Sequence, residues 1–174
     1  HARRAPVMVW IHGGSHRTGA GWVTSGRAFA RDGVIVVGVN YRLGSLGTFA
    51  HPALTAEAKP DEPLGNYGLM DQLAALRWVR RNIAAFGGDP GNVTLFGESA
   101  GGVSVLFLMT QPQAKGLFQR AVVQSGAGWF RDQGLEEKSA QGVEIAQALG
   151  LPNASAAQLR ALPVDALIAK ACCE

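Results

Sequence analysis

Apolar residues along this chain come in two rhythms. Short unbroken runs occur at residues 7–11, 34–39, 93–96 and 121–123. Their length and bounding glycines and prolines predict strands. The run at 34–39 is β-branched and nearly all apolar, as in a strand covered on both faces of a parallel sheet. The second rhythm is helical. Leu69, Leu73, Leu76, Val79 and Ile83 recur near helical spacing and predict a helix over 69–85. Gly87-Gly88 should end it, with a turn at Asp89-Pro90-Gly91. Residues 100–109 are apolar nearly throughout and read as a buried helix. Residues 25–31 could form a short helix stopped by Asp32-Gly33, and 135–149, 155–162 and 163–171 are helical. Residues 13–21 read as loop. Residues 44–65 read as a long surface excursion with little regular structure, of the kind that often carries function.

The order is strand, strand, helix, strand, helix, strand, then helices. Such alternation predicts an α/β fold, a mostly parallel sheet with helices on both faces. No internal repeat or low-complexity segment interrupts it. The chain has 174 residues, 47% hydrophobic and 17% charged, which suits a folded domain with a real core.

Charge excludes more than it adds. The net charge is +3, and the basic residues are scattered apart from the pairs Arg3-Arg4 and Arg80-Arg81. No basic stripe with interleaved aromatics supports nucleic-acid binding. Arg80 and Arg81 belong on the wet side of a helix. No segment reaches the ~18 apolar residues of a membrane span. Cys172 and Cys173 are adjacent and match no metal or disulfide spacing, so no function is assigned to them. The chain opens on His1 rather than Met, so its start reads as cut and its compartment is not legible.

The chemistry gathers around Gly97-Glu98-Ser99-Ala100-Gly101, a G-x-S-x-G pattern. A serine held at a sharp strand-to-helix turn is strained, at a cost of about 1–3 kcal/mol. Side chains two positions either side would collide, which calls for glycine at 97 and 101. The turn lifts the Ser99 hydroxyl clear of the sheet, and the following helix points its amino end at any charge developing there. The pentapeptide alone also fits a plain glycine-rich turn. A strand directly before it and an apolar helix directly after it favour a nucleophile.

A second glycine segment, His12-Gly13-Gly14-Ser15, follows the strand at 7–11. Acyl transfer needs N–H donors aimed at a tetrahedral oxyanion, and glycine lets the main chain approach. With this elbow the donors come from an HGG-type loop and the residue after the nucleophile. Here they would be the amides of Gly14, Ser15 and Ala100. A phosphate-binding loop is the weaker reading, because neither GxGxxG nor GxxxxGK[ST] is present. His12 lies within the loop motif and is expected to brace its turn by hydrogen bonding rather than act as the base. Nothing marks His16 or His51 as the base.

These segments, taken in order, resemble the type-B carboxylesterase and lipase family, which includes the cholinesterase-like proteins. The matching stretches begin with Trp10-Ile11-His12-Gly13-Gly14 and Val39-Asn40-Tyr41-Arg42-Leu43-Gly44. They continue with Gly65-Asn66-Tyr67-Gly68-Leu69-Met70-Asp71-Gln72, Ala75-Leu76-Arg77-Trp78-Val79 and Asn82-Ile83-Ala84-Ala85-Phe86-Gly87-Gly88-Asp89-Pro90. Residues 93–102 and Gln124-Ser125-Gly126 complete the set. The resemblance implies an α/β-hydrolase fold, hydrolysis of small-molecule carboxylic esters, and no metal or organic cofactor. It implies Ser99 as nucleophile, with Gly14, Ser15 and Ala100 as oxyanion donors. It sets Glu98 beside the nucleophile and Ser125 near the acid of the triad. Residues 1–174 would then be the amino-terminal portion of a single catalytic domain, incomplete at the carboxyl end.

Two positions depart from the family pattern. Ser15 stands where glycine or alanine is usual, which keeps the backbone donor and narrows the acyl side. Thr48 replaces a common aromatic residue. The family orders its triad as serine, acid, histidine, and the last two are expected downstream. Asp71, Asp89 and Asp132 belong to other motifs or loops, and no histidine follows Ser99. Without a base a serine hydroxyl is a weak nucleophile, so the polypeptide as given is expected to be inactive. A parallel sheet cut midway leaves an unpaired strand and uncovered apolar faces, so poor solubility or association in isolation is expected too. Two other readings stay open: a non-catalytic cholinesterase-like adhesion module, and a peptidase or amidase on the same fold.

Overall fold

The computed structural model describes residues 4–59, 62–126 and 133–171. Asp132, Cys172 and Cys173 lie outside the described residues. In chain order the elements are β1 (Ala5–Ile11), α1 (Arg27–Arg31), β2 (Ile35–Val39), α2 (Gly44–Thr48), α3 (Pro52–Thr55) and α4 (Tyr67–Asn82). There follow β3 (Gly88–Glu98), α5 (Ala100–Thr110), β4 (Arg120–Gln124), α6 (Leu135–Ala148), α7 (Ala156–Arg160) and α8 (Val164–Ala171). They group into two compact units, one of His1–Tyr41 with Leu69–Trp129, the other of Arg42–Gly68 with Phe130–Glu174.

The first unit holds the sheet, in the order β2-β1-β3-β4 with every neighbouring pair parallel. Parallel pairing needs a crossover after each strand, which the alternating pattern supplies. Side chains alternate across the sheet. Val7, Val9 and Ile11 of β1 and Val93 and Leu95 of β3 share one face, each at most 1% exposed. Burial of each such side chain stabilises the fold by about 1.5–3 kcal/mol. On the other face Trp10 and Phe96 pair in register, with ring centroids 4.8 Å apart, and Phe29 of α1 meets Phe96 edge-on. The register levels the carboxyl ends: Ile11 lies beside Val39 and Gly97, and Glu98 lies beside Gln124. Loops leaving β1, β3 and β4 therefore emerge together at one edge, where open α/β sheets bind ligands.

Four expectations need correcting. The β2 run is half-buried up to Val37, and Gly38 is exposed, rather than covered on both faces. Among the described residues β2 pairs only with β1, so it is an edge strand. Helix α5 is buried from Ala100 through Val105 and at Leu108, but Leu106, Phe107 and Met109 are 40–56% exposed. Asp89-Pro90-Gly91 lies inside β3 rather than in a separate turn, at a bulge where the pairing register with β1 shifts. The turn chemistry survives there, with the Gly91 N–H donating to Asp89 Oδ1 at 2.8 Å. Residues 44–65, expected to be irregular, include α2 and α3. Proline at the first position of α3 and a cap from His51 Nδ1, which accepts from Ala53 N–H at 3.1 Å, explain that short helix.

The second unit is helical. Phe49 and Leu54 pack with Leu151 against a core of Ala146, Ala154 and Leu159. Helix α7 starts with a reciprocal cap between Ser155 and Gln158. The Arg160–Glu57 ion pair is more than half exposed on both sides and adds little stability. Among the described residues no helix is long and apolar enough to cross a membrane.

Candidate active site

Ser99 sits between β3 and α5 with φ 53° and ψ −123°, a left-handed conformation that a side chain adopts only under strain. The turn closes because glycines flank it. A Cβ at Gly97 would overlap the carbonyl of Gly101, and one at Gly101 would overlap the Ile11 carbonyl oxygen. Main-chain bonds fix the serine from both sides: its N–H donates to Gln124 O of β4 at 2.8 Å, and its carbonyl accepts from Val103 N–H at 3.0 Å. The hydroxyl does not cap α5, so it is not spent on the helix it begins.

The loop after β1 lies against this turn. A Cβ placed on Gly13 would sit 3.1 Å from Ser99 Cβ and 2.8 Å from both the Glu98 carbonyl oxygen and Oε2. Only glycine lets the loop come this close. Gly14 has φ 104°, and the next two residues, Ser15 and His16, both have φ 56°. Arg17 N–H donates to Gly14 O at 2.9 Å, closing the tight turn that successive positive φ values make. Among the described residues the amides of Gly14, Ser15 and Ala100 find no protein acceptor.

The non-glycine residues with left-handed φ, among those described, are Ser15, His16, Ser99 and Ser125. Each directly follows, or follows within a few residues, the carboxyl end of β1, β3 or β4. Strain is therefore concentrated at one edge of one sheet. The register of β3 and β4 brings Ser125 beside Ser99, and Gly126 packs on Gly102 of α5. Glu98 is exposed at the end of β3, with its carboxylate over Gly13.

The described histidines do other work than meeting Ser99. His12 Nδ1 donates to Gly13 O at 2.7 Å, and its ring stacks on Tyr41 with centroids 4.4 Å apart. This matches the bracing role expected of it. Tyr41 donates its hydroxyl to His12 O at 2.7 Å, and burial pushes its pKa up to about 12, which keeps that proton in place. His16 Nε2 lies 2.8 Å from Ser104 Oγ, and Gln72 Nε2 donates to the same oxygen at 3.2 Å. Burial holds His16 below the ordinary imidazole value, opposed by the Ala100 backbone and reinforced by His12. His51 caps α3 in the other unit. Among the described residues no histidine hydrogen-bonds Ser99, and no cluster of His, Cys, Asp and Glu could hold a metal.

Sequence reading missed Gln72, Ser104 and the anchoring of His16. The signal was present. Gln72, Leu76, Val79 and Ile83 form the buried stripe of α4 and the turn after it, and Ser104 interrupts an apolar helix; both polar residues are fully buried. A polar side chain at a core position needs a partner, and here Gln72 Nε2 finds Ser104 Oγ, although Gln72 Oε1 has none among the described residues.

A sequence profile of the carboxylesterase family matches residues 1–171. The chain is 46% identical over 170 residues to the para-nitrobenzyl esterase of Bacillus subtilis (strain 168), covering 96% of this chain and 33% of that protein. It is 47% identical over 158 residues to the fumonisin B1 esterase of Sphingopyxis macrogoltabida, covering 88% of this chain and 29% of that protein. In three dimensions it matches a Geobacillus stearothermophilus carboxylesterase at TM-score 0.88 and 41% identity, over 98% of this chain and 37% of the other. A para-nitrobenzyl esterase structure matches at TM-score 0.85 and 45% identity, over 97% of this chain and 35% of that one. The chain thus spans about a third of the length of the relatives it matches. With residues 1–171 under the profile and solved carboxylesterases matching nearly the whole chain at TM-scores of 0.85 and 0.88, the chain belongs to the carboxylesterase family and has the α/β-hydrolase fold.

Proposed function

We propose that this chain carries the nucleophile and oxyanion-binding part of a serine hydrolase that cleaves small-molecule carboxylic esters, as the amino-terminal portion of one catalytic domain. Ser99 Oγ attacks the ester carbonyl and forms an acyl-enzyme, releasing the alcohol. The amides of Gly14, Ser15 and Ala100 hold the negative charge of the tetrahedral intermediate, each worth about 10²–10³ in turnover. Water then hydrolyses the acyl-enzyme and restores the serine. Glu98 and Ser125 hold the ground beside the nucleophile. No cofactor or metal takes part in these steps.

The observation that carries this reading is the contact of Gly13 with Ser99, which sets a loop of free amides against a strained, uncommitted serine. An adhesion module has no use for a hydroxyl kept in a conformation that costs about 1–3 kcal/mol. Among the described residues no histidine hydrogen-bonds Ser99, and we propose that the base and acid of the triad lie outside these 174 residues. The isolated chain is then inactive.

The test is hydrolysis of a p-nitrophenyl ester by the complete polypeptide that contains this chain. A burst of p-nitrophenol with an acyl mass on Ser99 is expected, absent from Ser99→Ala. Turnover that survives Ser99→Ala, or Ser99-dependent turnover by residues 1–174 alone, would overturn the respective parts of the reading.

A further inference from the structure

The two sources of oxyanion amides belong to separate pieces of chain. Gly14 and Ser15 lie in the loop after β1, and Ala100 opens α5. Main-chain contacts bring the two pieces together, Gly101 against the Ile11 carbonyl and Gly13 against Ser99, but among the described residues no main-chain hydrogen bond joins residues 14–16 to α5. His16 directly follows the loop donors, and its Nε2 reaches Ser104 Oγ at 2.8 Å. Ser104 lies four residues after Ala100 on α5, hence on the same helix face. The hydrogen bond therefore spans the gap between the two halves one residue beyond one and one helical turn beyond the other.

We infer that His16, tied to Ser104 and through it to Gln72, is a positioning residue that sets the spacing of the oxyanion amides. Ser104 is fully buried, and so is Gln72, whose amide donates to Ser104 Oγ at 3.2 Å. Ser104 Oγ thus meets both Gln72 Nε2 and His16 Nε2, and the tautomer of His16 sets which partner donates in the second bond. Burial favours the neutral form of His16. His16 holds φ 56°, a conformation that a non-glycine residue keeps only when its surroundings enforce it. Tyr41 lies edge-on to the His16 ring at 6.2 Å and is itself bonded to His12 O. Removal of the tether leaves the nucleophile and the general binding surface intact. It loosens only the geometry that matters when the oxyanion forms, so it acts on kcat rather than KM.

This inference rests on the ester-hydrolase reading, and the experiment separates the two. In the complete polypeptide, His16→Phe removes the tether and His16→Gln keeps a side-chain amide able to reach Ser104. His16→Phe is expected to lower kcat about 10- to 100-fold with KM within about twofold. His16→Gln should recover most of the loss. The double variant His16→Phe/Ser104→Ala should be no slower than the worse single variant, because both remove one interaction. An unchanged kcat in His16→Phe overturns the inference, as do losses that multiply in the double variant. A fall in Tm that tracks kcat, without rescue by glutamine, assigns His16 a purely structural role and overturns it too. If the unmodified polypeptide hydrolyses no ester, or Ser99→Ala hydrolyses it as well, the hydrolase reading fails first and the inference falls with it.

Discussion

Two turns meet at the edge of this sheet, and they are held by different means. The turn after β3 is closed by main chain on main chain. Gly97 packs on Gly101, Gly101 packs on the Ile11 carbonyl, and the Ser99 amide is bonded to Gln124 O. The turn after β1 meets main chain at Gly13, beside the Glu98 carbonyl, and closes between Gly14 and Arg17, but side chains from elsewhere tie the residues on either side of it: Tyr41 on the His12 carbonyl, and Ser104 on His16. Steric closure is nearly all-or-none, because carbonyls cannot be compressed. A hydrogen-bonded tether is graded. The nucleophile's turn should therefore fail abruptly under substitution, and the amide-bearing loop should fail by degrees.

The largest expected effect is at Gly101. In Gly101→Ala the new methyl meets the Ile11 carbonyl oxygen and comes within 2.7 Å of the His12 carbonyl oxygen, so β1 and α5 must separate. Stability should fall by about 3 kcal/mol or more, read as a shift in denaturant midpoint, and hydrolysis should drop beyond about 10³-fold. A mild effect would show that the close contact is not what shapes the turn. Next comes Ser99→Gly, which separates strain from chemistry. Hydrolysis should vanish while stability rises by about 1 kcal/mol, because glycine accepts φ 53° freely. Loss of stability instead would mean that the serine side chain is a structural partner. The smallest of the three is Tyr41→Phe, which deletes one buried hydrogen bond to His12 O. About 1–2 kcal/mol of stability and roughly tenfold in kcat should be lost, without loss of the fold. If Tyr41→Phe proved as severe as Gly101→Ala, the contrast between steric and tethered turns would be wrong.

The same contrast explains what was legible in the sequence. Main-chain requirements leave a local signature. The spacing of Gly97 and Gly101 around Ser99, between a strand and a helix, points to the turn before any coordinates. So do Gly13 and Gly14, and the alternation of apolar runs points to a parallel sheet. Side-chain tethers leave no local pattern, because His16, Gln72 and Ser104 are far apart in the chain and meet only once it is folded. The exposure of Leu106, Phe107 and Met109 was hidden for a related reason. Apolar content tells which residues can be covered, but coverage depends on the neighbours present, and β4 has only β3 beside it among the described residues. In the stretch at 44–65, α3 is set by a local cap, His51 with Pro52, rather than by an apolar stripe, which leaves no helical period to read.

The central claim is that the two turns face a common oxygen. A crystal structure of the complete polypeptide with a phosphonate adduct on Ser99 tests it directly. The account expects the phosphonyl oxygen within about 3 Å of the Ala100 amide and of the Gly14 or Ser15 amide. An adduct oxygen that turns to solvent, or that meets the Ala100 amide without the loop, would contradict it.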